Sequence, residues 1–158
     1  MEQDRVFEIA YLADYPAFAG NVSRWLYDEF VHPDNEELAY TEFHSIFTTN
    51  SKTGFPIRLV ALCGGECVGT VTVIDNDFES RSYTPWLGGL YVEKAHRNRG
   101  IGRKLVEKAK QIAANSGYKE IYLNTETAGE YYKKLGWKYV ESCPNESGRI
   151  CGIYRFDL

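Results

Sequence analysis

The chain has 158 residues, 44% of them apolar and 25% charged, which suits one domain over residues 1–158 with a core of its own. A formal charge of −4 argues against nucleic acid as the main partner. No apolar run approaches the roughly 18 residues a membrane span needs, and the charged opening MEQDRVFEIA is no secretory leader. A cytoplasmic protein with no membrane partner is the expectation.

VFEIAYL reads as a first strand. Phe18, Val22, Trp25, Leu26 and Phe30 then recur at helical spacing and predict a helix with that stripe buried. A second helix is expected after HPDN, where Asp34 or Asn35 can cap it and Glu36 and Glu37 favour its positive end. Ala39, Phe43, Ile46 and Phe47 would be its buried stripe. IRLVALC and CVGTVTVID lie on either side of Gly64-Gly65-Glu66 and form a hairpin.

WLGGLYV follows as a strand with Gly88 and Gly89 adjacent. Ile101, Leu105, Val106, Ala109, Ile112 and Ala113 mark one face of a long helix, ended by Gly117 in a left-handed cap. YKEIYLNT is a strand, AGEYYKKLG a short helix closed by Gly136, and WKYVESC with RICGIYRFDL a final hairpin around Pro144 to Gly148. The order β-α-α-β-β-β-α-β-α-β-β predicts an α+β (mixed α/β) fold, with helices packed on a largely antiparallel sheet. Cys63, Cys67, Cys143 and Cys151 lack the Cys-x-x-Cys spacing of a zinc knuckle, so free thiols and no metal are expected.

Charge is unevenly spread. Lys94 to Lys110 holds seven basic residues and one acid, Glu107, a local +6 in a chain whose remainder is therefore −10. Within that segment, HRNRGIGRKL places Arg97, Arg99 and Arg103 around Gly100 and Gly102, immediately before a helix. A helix's first turn has unpaired N–H groups and a positive dipole end, and phosphate is the ligand such an end prefers. The two glycines let the backbone approach phosphate oxygens and adopt positive φ. The ATP-type loop is excluded because Gly102 is followed by Arg103-Lys104 without Ser or Thr. The dinucleotide fingerprint fails at Leu105, where its third glycine would stand.

What remains, Arg97-x-x-Gly100-x-Gly102 between a strand and an amphipathic helix, resembles the pyrophosphate loop of the GNAT superfamily N-acetyltransferases. The likeness extends over LYVEKAHRNRGIGRKLVEKA. It reappears at Tyr132-Lys133-Lys134-Leu135-Gly136-Trp137, with Trp137 where Phe is more usual. The resemblance implies a GNAT-type fold: a twisted, mostly antiparallel sheet of about seven strands flanked by about four helices, with strands splayed at a cleft for acetyl-CoA. It implies transfer of the acetyl group to a primary amine by direct attack, through a tetrahedral intermediate. Residues 97–103 (Arg97, Asn98, Arg99, Gly100, Ile101, Gly102, Arg103) would hold the pyrophosphate. Backbone groups of Leu90, Tyr91 and Val92 would hold the pantetheine arm and thioester. Asn124 would contact that arm or position solvent. Tyr132 matches the tyrosine that protonates the departing thiolate, and Tyr131 beside it is expected to pack.

The base is open between Glu93, Asp75, Asp77 and a water chain. In the resembling fold the two N-terminal helices and the final hairpin wall the acceptor site. Trp25, Tyr27, Asp28, Glu29, Asp34, Glu36, Glu37, Tyr40 and Phe43 fall on those helices and suit a small cationic or peptide amine. The same residues are also what a helix pair with an aromatic core and solvated acids would show. A non-catalytic acyl-CoA-binding module is the alternative; retention of Tyr132 speaks for the enzyme. A phosphotransferase would need the Lys-Ser/Thr that the loop lacks. Homodimers are common in such folds, but no residue here argues for one.

Overall fold

In the computed structural model, which describes residues 6–31, 39–78 and 80–158, seven strands form one sheet: β1 Phe7–Tyr11, β2 Ile57–Cys63, β3 Glu66–Ile74, β4 Trp86–Val92, β5 Glu120–Thr125, β6 Lys138–Pro144 and β7 Ile150–Asp157. Their order across the sheet is β1-β2-β3-β4-β5-β7-β6, and β4 with β5 is the one parallel pair. The helices are α1 Ala19–Leu26, α2 Tyr40–Ser45, α3 Ile101–Asn115 and α4 Gly129–Lys134. Mixed sheet and four helices agree with the expected fold class.

Burial on both faces explains why β2 is apolar at nearly every position. Ile57, Leu59, Ala61 and Cys63 point toward α3 and join Ile101, Leu105, Val106, Ala109 and Ala113. Val60 and Leu62 point the other way and pack with Val22, Leu26 and Phe47 from the α1–α2 side. Side chains alternate across a strand, so two helical layers need two apolar sets. Truncating a side chain as enclosed as Leu105, which is fully buried, costs about 2–5 kcal/mol. All four cysteines are free and buried. Gly117 and Gly136 have φ of 93° and 96°, as left-handed helix caps require. Among the described residues no helix is long and apolar enough to cross a membrane.

The N-terminal helices depart from the sequence expectation. After α1 the chain widens into a π-turn over Tyr27–Val31. That extra residue per turn rotates Phe30 off the Val22–Leu26 line, and Phe30 is 53% exposed instead of buried. Ile46 is also 53% exposed, because α2 ends at Ser45 and leaves Ile46 past the stripe. The cap residues Asp34 and Asn35, with Glu36 and Glu37, lie outside the described residues.

Between β4 and β5 the sheet opens. The two strands pair at Trp86↔Tyr122 alone, supported by Tyr122 N–H donating to the Pro85 carbonyl at 3.0 Å. Further along, β4 carries a bulge opposite β3 between Thr70 and Thr72, with Gly89 at φ 57°. A Cβ there would lie 3.2 Å from Leu26 Cδ1. Glycine at 89 therefore serves both the bulge and the close packing of α1, and β4 bends away from β5.

Candidate active site

Two cavities flank the opening. One, of about 650 Å³, is lined by Leu90, Tyr91 and Val92 at the end of β4, by Arg97, Asn98, Gly100, Ile101, Gly102 and Arg103, and by Tyr131 and Tyr132 of α4. The other, of about 610 Å³, contains Leu26, Phe43, Asp77, Phe78, Gly88, Gly89, Asn124 and the β6–β7 turn. Phe30 lines both.

The loop before α3 makes a bare helix end. Asn98 and Gly100 adopt φ of 64° and 82°, and Gly100 is the N-cap with no side chain capping the first turn. The first bond within the helix runs from Lys104 N–H to the Gly100 carbonyl at 3.0 Å. The amides of Ile101, Gly102 and Arg103 thus lack intrahelical acceptors and face the cavity, a geometry that binds anions. A Cβ at Gly102 would meet only Val92 Cγ2 at 3.7 Å. Protein packing therefore does not require glycine at that position, and its missing side chain leaves the helix end open to an approaching anion.

The cationic segment divides among several tasks. Arg97 folds back, its Nε donating to the Val92 carbonyl at 2.7 Å with its guanidinium 5.3 Å from the Tyr91 ring centre. It therefore fixes the end of β4 while lining the cavity. Arg103 also lines it, whereas Arg99 is exposed and does not. Lys110 pairs with Glu107 at 2.9 Å and covers the Phe156 ring. Sequence reasoning did not single out His96, which lines the same cavity with a buried, unpartnered Nδ1, 4.0 Å from Glu93 Oε1. Its place directly before Arg97 was the available signal.

Tyr132 is 8% exposed and stands edge-on to Trp137 at 5.9 Å between ring centres. Burial, with Tyr131 adding, pushes its hydroxyl up to about 12, so it holds its proton at neutral pH. Tyr131 does not pack as expected. It is 48% exposed and lines the cavity, edge-on to Tyr132, because a six-residue helix presents only one face to the sheet and residue 132 takes it.

Of the three carboxylates considered as base, Asp77 alone lines either cavity. Asp75 is exposed at the end of β3, its carbonyl accepting from Thr84 Oγ1 at 2.7 Å. Glu93 lies beside His96. Asp77 is fixed by its neighbours: Asn76 Oδ1 accepts from Phe78 N–H at 3.1 Å, and Phe78 stacks on Trp86. The carboxylate rests against β4, where a Cβ on Gly88 would approach Oδ2 to 3.2 Å. It meets solvent through the cavity but is ringed by protein, and this desolvation raises its pKa to about 6 against the lowering hydrogen bond from Asn124, with Glu146 adding to the rise. Asn124 Nδ2 donates to Asp77 Oδ2 at 3.4 Å. The structure thus puts Asn124 in the second cavity, away from the loop before α3.

Among the aromatic and acidic residues of the N-terminal helices, Phe43 lines the second cavity and Glu29 the first. Tyr27 is core, packed on Tyr40 and Phe43. Trp25 stacks on Tyr91, and Asp28 pairs with Arg24 at 3.5 Å on the surface. The second cavity's other charged lining residues are Glu126, just after β5, and Glu146 and Arg149 on the β6–β7 turn, part of the final hairpin that the resemblance assigns to the acceptor site.

An open parallel seam, a bare helix end and a neighbouring buried tyrosine define an acyltransferase of one particular architecture. The sequence description of the acetyltransferase (GNAT) family matches residues 20–137, and the chain belongs to that family. An uncharacterized N-acetyltransferase of Chlorobaculum tepidum is 40% identical over 64 residues, 39% of this chain and 41% of that protein, so the match spans less than half of either. An aminoglycoside 6'-N-acetyltransferase complexed with coenzyme A superposes with a TM-score of 0.74 at 21% identity, over 95% of this chain and 96% of that one. A putative acetyltransferase from Salmonella typhimurium with its cofactor acetyl-CoA gives 0.69 at 19% identity, over 96% and 94%. At these identities the likeness concerns the fold.

Proposed function

We propose that this chain is an acetyl-CoA-dependent N-acetyltransferase acting on a primary amine. The observation that carries the reading is the shared cavity of the uncapped α3 N-terminus and Tyr132, beside a second cavity that contains Asp77 and shares Phe30 as a wall. The amides of residues 101–103, with Arg97 and Arg103, hold the diphosphate of acetyl-CoA. Backbone groups of Leu90, Tyr91 and Val92 hold the pantetheine arm and thioester at the bulge. An N–H among these three stabilises the oxyanion as the amine attacks. Complexes of other family members with coenzyme A and acetyl-CoA support the choice of acyl donor.

The acceptor enters the second cavity as an ammonium ion, and Asp77 takes its proton directly or through water. Moving that proton from an amine of pKa near 10 to a carboxylate near 6 costs about 5 kcal/mol, well below the roughly 16 kcal/mol barrier of an enzyme turning over ten times a second. The nitrogen lone pair attacks the thioester carbon, the C–N bond forms and the C–S bond breaks. Tyr132 gives its proton to the departing sulfur and recovers one, directly or through water, from the nitrogen, which sheds its second proton as the amide forms; Asp77 returns the first proton to solvent. Four free buried thiols support a reducing, cytoplasmic setting.

Incubation with acetyl-CoA and a panel of primary amines, following free thiol, tests the reading. Amine-dependent thiol release that Tyr132→Phe lowers about 10²–10⁴-fold supports it. Tight acetyl-CoA binding without thiol release from any amine would instead define a non-catalytic acyl-CoA-binding module.

A further inference from the structure

The second cavity has an unbalanced wall. Its charged lining residues, among those described, are Asp77, Glu126, Glu146 and Arg149. Arg149 donates to the Glu126 carboxylate through both Nε and Nη2, so those two largely cancel. Asp77 and Glu146 have no ion pair among the described residues, and the described charged lining residues sum to −2. They come from different elements: Asp77 rests against Gly88 of β4, and Glu146 stands on the β6–β7 turn. That turn is held by Asn145, whose Oδ1 accepts from the amides of Ser147 and Arg149, each at 3.0 Å. Other parts of the wall are apolar, formed by Leu26, Phe30, Phe43, Phe78 and Leu87.

We propose that the acceptor is an aliphatic diamine, its reacting ammonium at Asp77, its methylene chain along the phenylalanines and its distal ammonium at Glu146. The assignment rests on the acetyltransferase reading above. A methylene chain matches apolar walls and costs nothing in unpaired hydrogen bonds. The two carboxylates repel each other, and Glu146 contributes to the raised pKa of Asp77; a dication relieves that repulsion at both ends. A zwitterionic acceptor of the same length would bring a third carboxylate into the cavity, and a monoamine would leave Glu146 without a partner.

The experiment compares three acceptors of equal chain length in the thiol-release assay: a linear α,ω-diamine, the n-alkyl monoamine and the ω-amino acid. Expected kcat/KM is about fivefold or more higher for the diamine than for the monoamine, with the ω-amino acid lowest. Glu146→Gln, an exposed substitution, should raise KM for the diamine and narrow its advantage over the monoamine. Equal kcat/KM for diamine and monoamine, or an advantage that Glu146→Gln leaves unchanged, would overturn the diamine assignment alone. Thiol release from none of the three, nor from any other amine, would overturn the acetyltransferase reading and the diamine assignment with it.

Discussion

Trp86 and Tyr122 are the one paired position between β4 and β5, their rings 5.8 Å apart. Everything past that point on β4 turns away from β5 and lines a cavity. Trp86 is fully buried and also stacks on Phe78, so it anchors both the seam and the turn that carries Asp77. Trp86→Ala should cost about 3–5 kcal/mol and lower Tm by on the order of 10 °C in a thermal scan. A Tm within about 2 °C of wild type would show that the seam is held elsewhere.

Tyr132→Phe keeps the ring against Trp137 and removes only the hydroxyl. Turnover should fall about 10²–10⁴-fold, with acetyl-CoA affinity by calorimetry near wild type. Unaltered turnover would assign the thiolate's proton to another donor, Tyr131 being the nearest hydroxylated side chain lining the same cavity.

Asp77 links activity to stability with a definite sign. Its folded pKa is raised to about 6, against roughly 3.9 for an unperturbed aspartate. The ionised form therefore weakens the fold: the cost is absent below about pH 4, grows to about pH 6 and stays constant above. Discounted for the solvent the carboxylate still meets, it comes to about 1 kcal/mol. Asp77→Asn should raise Tm by about 2–4 °C at pH 8 and leave it unchanged at pH 4. Wild-type kcat/KM should rise through an apparent pKa near 6, and the variant should lose that limb along with about 10²-fold or more of its rate. A limb that persists in Asp77→Asn would place the base elsewhere.

The two loop glycines separate fold from binding. Gly102→Glu has room for its Cβ, so Tm should stay near wild type while a carboxylate faces the diphosphate and acetyl-CoA affinity falls about tenfold or more. Gly100→Ala instead forces a Cβ onto φ 82° and should cost about 1–2 kcal/mol of stability. Equal Tm for Gly100→Ala and wild type would show that the loop relaxes out of the left-handed region.

Regular elements with period signals were legible in the sequence: the β2–β3 hairpin, the α3 stripe and the caps at Gly117 and Gly136 all stand as read. The bare start of α3 was legible because its signals are local, with glycines, arginines and a helix start inside eight residues. Phe30 was misread because apolar spacing cannot register one added residue in a π-turn. Asp77 could not be separated from Asp75 two residues away, since only tertiary contact with β4 and Asn124 distinguishes them. The resemblance alone put the final hairpin at the acceptor site; that Glu146 and Arg149 are its charged residues lining the cavity follows from strand order, which leaves no local trace.

The central claim is that amides at the start of α3 grip the diphosphate of acetyl-CoA. A crystal structure of the complex tests it most directly. The account predicts diphosphate density within hydrogen-bond distance of the 101–103 amides, with the thioester beside Leu90. Density for the diphosphate anywhere else on the protein would contradict it.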